Sequence, residues 1–222
     1  MKYYYEAYNQ RYKIIHEKGH FWSSDIPTPI VSDVIQKYSI SKNASILEIG
    51  CGEGRDAFPL LENGYDVLAT DISSEAINYC KSLRPDYSMH FSILDCINDH
   101  HGQHYYFIYS VAVIHMLVND EDRIRFYHFI YDHLLDGGLA LICSMGDGLT
   151  ESETDISSAF NMVERHHDSG YVMVPSTSLR MVNFDTLKKE IESTHFSIVE
   201  QGITSSLPDF NDLMYVVIRK HE

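Results

Sequence analysis

Positive charge is scarce in this chain. Lysine and arginine number 17 against 32 aspartates and glutamates, a formal charge of −15 over 222 residues. Nucleic-acid backbones are bound by clustered Lys and Arg that release counterions, so this balance argues against a nucleic-acid partner. It equally disfavours an anionic membrane surface. No apolar run approaches the roughly 18 residues of a membrane span. The segment MKYYYEAYNQRYK lacks the apolar core of an export signal, and the expectation is a cytoplasmic protein. Cys51, Cys80, Cys96 and Cys143 show no CxxC pair and no short framework spacing, which points to reduced thiols. Internal repeats and low-complexity tracts are also absent.

What is present suits a packed core: 44% hydrophobic and 22% charged residues. The length fits one domain, residues 1–222, with two appendages. Residues 1–40 form an N-terminal helical arm that holds five of the 16 tyrosines in its first dozen positions. It breaks near Asp25-Ile26-Pro27-Thr28-Pro29, and Pro29 opens a helix to Tyr38.

From Ser45 the pattern alternates. Ser45–Ile49, Tyr65–Thr70, Tyr87–Leu94, Tyr105–Val113 and Leu139–Ser144 read as strands. Arg55–Glu62, Ser74–Leu83 and Asp120–Leu135 read as helices, with Ser73 as an N-cap and Asn63-Gly64 as a stop. Asp136-Gly137-Gly138 reads as a turn. Such alternation builds right-handed βαβ units and a parallel sheet covered on both faces. Residues 146–182 interrupt it with a polar run and a hairpin turning at Asp168-Ser169-Gly170. This excursion reads as a substrate-side insertion. Then come a helix capped by Asn183 or Asp185 and two strands, His195–Gln201 and Met214–Lys220.

The sharpest signal is Ile46-Leu47-Glu48-Ile49-Gly50-Cys51-Gly52-Glu53-Gly54-Arg55. A strand enters a glycine-rich turn that opens a helix. Glycine lets backbone approach a ligand with no side chain between. Asp71 ends the next strand, 71 − 50 = 21 residues beyond the first glycine, where a carboxylate can accept from both hydroxyls of a ribose. Loop and acid together indicate an adenosine-type cofactor. The dinucleotide pattern GxGxxG needs glycine at position 55, which is Arg55, so NAD fits less well.

The stretch ILEIGCGEGRDAFPLLENGYDVLATDIS resembles the first two motifs of class I S-adenosylmethionine-dependent methyltransferases, and the resemblance covers about residues 40–145. Tyr109-Ser110-Val111 with His115 beyond, and Leu135-Asp136-Gly137-Gly138, resemble later motifs, although Asp136 stands where a proline is common. The Gly64-Tyr65-Asp66-Val67 strand looks most like the small-molecule branch, which includes tellurite-resistance and thiopurine methyltransferases. The resemblance implies a Rossmann-like, doubly wound α/β fold: a mostly parallel seven-stranded sheet with an antiparallel C-terminal hairpin strand inserted.

By position it also implies S-adenosylmethionine as cofactor. Gly50, Cys51, Gly52 and Gly54 would pass its methionyl part, with Glu48 near the amino group. Asp71 would hold the ribose and Ile72 touch the adenine. Asp95 would accept from the adenine amine beside Cys96, and Ser110 would stand at the substrate entrance. A cationic sulfonium suits an acidic, aromatic-rich pocket.

Candidates beyond the loop carry less signal. His115 is a candidate general base, and otherwise a packing residue. Arg11, Trp22, Tyr171 and Arg180 are candidate substrate or lid residues, as is Arg165. His100, His101 and His104, and the pair His166 and His167, show no fixed spacing for zinc, and no metal is expected. The expected function is methyl transfer to a small-molecule acceptor. Rivals are an NAD-dependent oxidoreductase on the same fold class, and a non-catalytic protein that binds S-adenosylmethionine. A protein acceptor also stays open. The oligomeric state is not legible in the sequence.

Overall fold

The computed structural model describes residues 3–167, 169–204 and 212–220. A 3-10 turn, Tyr4–Glu6, leads into α1 (Ala7–Glu17), and α2 (Pro29–Lys37) follows with Pro29 as its first residue. The alternating region then gives β1 (Ser45–Ile49), α3 (Ala57–Glu62), β2 (Asp66–Asp71), α4 (Ser74–Leu83), β3 (Phe91–Ile93), β4 (Tyr105–Val111), α5 (Asp120–His133) and β5 (Leu134–Met145). The excursion holds β6 (Ser152–Glu153), β7 (Met162–His167), β8 (Gly170–Pro175) and β9 (Arg180–Met181). α6 (Phe184–Glu192), β10 (Phe196–Thr204) and β11 (Leu213–Lys220) close the chain.

Seven strands form one sheet in the order β10-β11-β5-β4-β1-β2-β3. Neighbours from β3 to β5 run parallel, while β11 is antiparallel to both β5 and β10. This is the Rossmann-like sheet with its inserted antiparallel strand. Chain direction across the sheet reverses between β1 and β4, which opens a crevice at their carboxyl ends.

Period-two alternation assigns the faces. Ile46, Phe107, Tyr109 and Leu141 pack under the helices α2, α3 and α4. Leu47, Ile49, Ile108 and Ile142 pack under α5 and α6. Local caps fix the helix starts: Ser73 accepts from the Ala76 amide, and Asn183 from the Thr186 amide. Among the described residues, no helix is long and apolar enough to cross a membrane.

The largest differences from expectation fall at two boundaries. Residues Pro85–His90 form a 3-10 helix, and β3 keeps only three residues. Pro85 presets the helical φ, and the Tyr87 amide closes the turn on Arg84 O. The Asp136-Gly137-Gly138 turn is absorbed into a long, irregular β5 that begins directly after α5, at Leu134. The excursion hairpin forms with Val163 opposite Val174 and His167 opposite Gly170. Asp168, expected in its turn, lies outside the described residues.

Candidate cofactor site at the glycine loop

At the end of β1 the backbone turns sharply. The Gly50 and Cys51 amides both donate to Thr70 O at the end of β2, at 2.7 and 2.8 Å. Gly50, Gly52 and Gly54 all have positive φ. At Gly52 the requirement is steric as well, because a Cβ there would stand 2.7 Å from the Tyr12 hydroxyl. The missing side chain therefore lets the Tyr12 hydroxyl close on the loop backbone, a cradle that one methyl group would block.

Asp71 is buried and ties this loop to the next helix. Its Oδ2 accepts from the Gly52 amide at 2.9 Å and its Oδ1 from the Ser73 amide at 2.8 Å. Burial raises its pKa, and the two amides oppose that rise. Each carboxylate oxygen has two acceptor directions, so capacity remains for further donors. Glu48 is buried in β1, and its Oε2 has no hydrogen-bond partner. The pKa of Glu48 is pushed well up by burial and by Asp56, while Tyr109 and Arg55 lower it. An orphaned buried carboxyl oxygen two residues before Gly50 is what an ammonium-bearing ligand would satisfy.

Asp95 follows β3. It accepts from the Ile97 amide at 2.9 Å, from Asn98 Nδ2 at 2.7 Å and from the Tyr5 hydroxyl at 3.5 Å. Burial pushes the neighbouring Cys96 thiol up. Ile72, at the end of β2, packs partly buried against the cluster under α5 and α6. Ser110 donates to Ile49 O at 3.1 Å and stitches β4 to β1. The structure thus gathers Glu48, Gly50, Cys51, Gly52, Gly54, Asp71 and Ser110 around one loop, with Asp95 and Cys96 after the adjoining strand.

The arm lies over this loop. Glu53 is buried, and its carboxylate accepts from the Trp22 amide at 2.8 and 2.9 Å, the Ser23 amide at 2.7 Å and the Ser23 hydroxyl at 2.8 Å. His16 Nε2 stands 2.8 Å from the same carboxylate. Burial acts to raise the Glu53 pKa, but these bonds outweigh it and hold the group below its ordinary value. Asp56 accepts from the Thr28 amide and hydroxyl at 2.6 and 2.8 Å. From α1, Asn9 Oδ1 accepts from the Ser73 and Ser74 hydroxyls and the Glu75 amide. Glu53, Asp56, Asn9, Tyr12 and His16 were missed as site residues. Acids interleaved with the glycines were the one available signal, but Glu53 and Thr28's partner Asp56 meet donors about 30 positions away, in the arm.

Other candidates are scattered. Arg11 is 6% exposed; its Nη2 donates to Pro175 O, Ser176 O and Thr177 Oγ1 at 2.8, 3.1 and 2.9 Å. The guanidinium lies over Trp22 at 4.5 Å and Tyr8 at 4.9 Å. It therefore joins the arm to the end of β8. Arg165 is close enough to lower the Arg11 pKa further, after burial. His115 is buried, and its Nδ1 accepts from the Met145 amide at 3.2 Å. Burial, then Arg123, lowers its pKa to about 3, so the ring is neutral at pH 7 with its proton on Nε2.

Arg180 donates to Val118 O at 2.7 Å and to Asp120 at 2.6 Å. Tyr171 is 72% exposed on the outer face of the hairpin, edge-on to His166, and is not brought to the loop. His101 stacks on His133 at 4.5 Å, and His167 on Trp22 at 5.8 Å.

The family model for the tellurite resistance protein TehB matches residues 13–171. A probable S-adenosyl-L-methionine-dependent methyltransferase TehB of Haemophilus influenzae is 28% identical over 117 residues, 52% of this chain. The chain spans 41% of that relative's length. Among solved structures, the CcbJ methyltransferase of Streptomyces caelestis superposes with a TM-score of 0.71 at 16% identity, covering 99% of each chain. The 1,6-didemethyltoxoflavin-N1-methyltransferase of Burkholderia thailandensis, solved with 1,6-didemethyltoxoflavin and S-adenosylhomocysteine, gives 0.66 at 15% identity, covering 87% of this chain and 77% of that one.

Proposed function

Because the chain belongs to the TehB tellurite-resistance family, we propose that it transfers a methyl group from S-adenosylmethionine to a small-molecule acceptor. The observation that carries this reading is the pairing of a side-chain-free turn at Gly52, capped by the Tyr12 hydroxyl, with the buried carboxylate of Asp71, which accepts from that glycine's amide. The orphaned Glu48 oxygen adds an acceptor where the methionyl ammonium would lie. Both features fit the cofactor. Gly50, Cys51, Gly52 and Gly54 would hold its methionyl part and Asp71 its ribose. Ile72, Asp95 and Cys96 would hold its adenine, and Ser110 would face the acceptor's entrance.

When bound, this cofactor supplies an electrophilic methyl group on a sulfonium leaving group. The chain's own work is alignment and exclusion of water. Oriented reactants gain effective molarities of roughly 10⁵ M or more. Tyr12, Trp22 and the Glu53 contacts seal the loop from solvent. Arg11 holds the hairpin over the arm, and Arg180 holds the excursion against Val118. His115, neutral and carrying its proton on Nε2, is proposed to steady the acceptor side at Met145; with Nδ1 engaged, it acts as a base only if that bond opens. The reading places the protein in the cytoplasm.

Calorimetry tests the proposal. S-adenosylmethionine and S-adenosylhomocysteine should bind and NAD should not. Asp71→Ala should weaken both by about 1–3 kcal/mol, the scale for bonds to a charged acceptor. Tight NAD binding without the other two would overturn the reading. A methyl-transfer screen over thiols, phenols, amines and oxyanions would then identify the acceptor; no turnover with any of them would favour a cofactor-binding protein without chemistry.

A further inference from the structure

We propose that Cys51 and Cys80 form a thiol-oxidation site beneath the glycine loop, where a hydroperoxide joins them in a disulfide that disables the cofactor cradle. The proposal rests on the cofactor reading above and adds a means of regulating that site.

The two residues come from different elements: Cys51 lies within the loop and Cys80 in the last turn of α4. Their sulfurs converge on one atom. Cys51 Sγ lies 3.7 Å and Cys80 Sγ 3.4 Å from Gly52 O, so one carbonyl oxygen brings the two sulfurs to the same side of the loop. Cys80 Sγ also underlies the next glycine, because a Cβ on Gly54 would stand 3.2 Å from it. Both thiols are free, and they are 5% and 0% exposed. Neither has a part in the methyl transfer described above beyond the Cys51 backbone.

Pairing would be felt at the cradle. A disulfide requires about 2.05 Å between sulfurs, well inside thiol contact distance. Closing that gap draws the loop toward α4 at Cys51, next to the Gly52 amide that Asp71 accepts from and the Gly52 α-carbon that faces Tyr12. Close-packed interiors do not absorb such a shift without losing contacts elsewhere.

The chemistry balances with a hydroperoxide as oxidant. The thiolate of one cysteine attacks the peroxide; an S–O bond forms, the O–O bond breaks, and the departing oxygen takes up a proton as alcohol or water. The second thiolate then attacks the sulfenic sulfur, an S–S bond forms, and hydroxide leaves as water after protonation. Two thiols lose two electrons and two protons, and the hydroperoxide is reduced. Burial pushes the Cys51 thiol well up, which slows the first step.

The test uses the full chain treated with hydrogen peroxide and then alkylated and digested without reductant. The expected result is a Cys51–Cys80 cross-linked peptide lacking two hydrogen atoms. The S-adenosylhomocysteine dissociation constant should rise at least about tenfold and return after dithiothreitol. Cys80→Ser should bind like the reduced parent and keep that affinity through the same treatment; Cys80→Ala serves if the serine variant folds poorly. Absence of the cross-link overturns the proposal, as does a cross-link with unchanged affinity. A cross-link in a chain whose reduced form never binds S-adenosylhomocysteine overturns the cofactor reading and the gating together, while the thiol pair stands.

Discussion

The arm and the excursion both cover the carboxyl edge of the sheet, but they are held by different physics. The arm is fastened to the glycine loop and the start of α3 through the carboxylates of Glu53 and Asp56, and to the start of α4 through its own Asn9 Oδ1. The excursion is fastened to the arm and to the loop after β4. Val172 and Val174 pack on Ile15 and Trp22, Arg11 grips residues 175–177, and Ser178 donates to Met116 O. The arm is latched where carboxylates of the loop accept from its amides and hydroxyls, the excursion where the cations Arg11 and Arg180 donate across it and valines pack beneath it. Loosening the first should therefore free both, whereas loosening the second should leave the first in place.

The largest test of that asymmetry is Glu53→Ala. It strips the acceptor from the Trp22 and Ser23 amides and from the Ser23 hydroxyl, and should weaken arm docking by about 3 kcal/mol. Trp22 is the sole tryptophan, so its emission reports the arm directly. A red shift should accompany faster amide exchange in β8. Exchange in β8 unchanged beside a shifted tryptophan would break the proposed layering.

Acidification separates the two roots next. The His115 pKa, about 3, lies below the ordinary 6.5 because burial and Arg123 disfavour the cation. A depressed histidine favours the folded state fully above about pH 6.5, and that contribution falls away as the pH drops toward 3. At pH 4.5 the parent should have lost about 2–3 kcal/mol relative to His115→Gln, measured as the difference in urea stability between pH 7 and 4.5. The loss is expected first at Met145, where the excursion leaves the sheet. Glu53, held below its ordinary value, keeps its charge further into acid. Equal pH slopes in the two proteins would contradict this assignment.

Arg11→Met should cost less, about 1–2 kcal/mol, because it leaves the Trp22 bond to Glu53 intact while unpinning residues 175–177. Exchange should rise in β8 while the Trp22 and Ser23 amides, held by Glu53, stay protected; emission is no readout here, because the substitution removes the guanidinium from over the Trp22 ring. Ser178→Ala is the smallest, about 1 kcal/mol, and should be visible only as faster exchange near Met116.

Local chemistry made much of this legible in the sequence. The strand–turn–helix at Gly50–Gly54, the acid at Asp71 and the caps at Ser73 and Asn183 each depend on neighbours within a few positions or on one adjoining strand. The misreadings arose where a single residue overrode a pattern. Pro85 turned an expected strand start into a 3-10 helix, and the apolar run at β5 began before its glycines rather than after them. The latch was not legible, because Glu53 reads as one acid in an acidic chain until α1 and Trp22 are folded back on it. The side-chain facing of the hairpin was likewise decided by what it packs on: Val172 and Val174 turn in toward Ile15, which turns Tyr171 and Met173 out.

The arm also has a consequence for the order of assembly. Its residues precede in the chain everything they dock on: Tyr4 meets Asp122, and Arg11 meets Thr177 at a separation of 166 positions. Contacts so distant pay their loop-closure entropy late and slow the folding of chains that depend on them. The sheet should thus be complete before its cover settles, and a nascent chain would expose an aromatic, tyrosine-rich segment until residue 177 has left the ribosome.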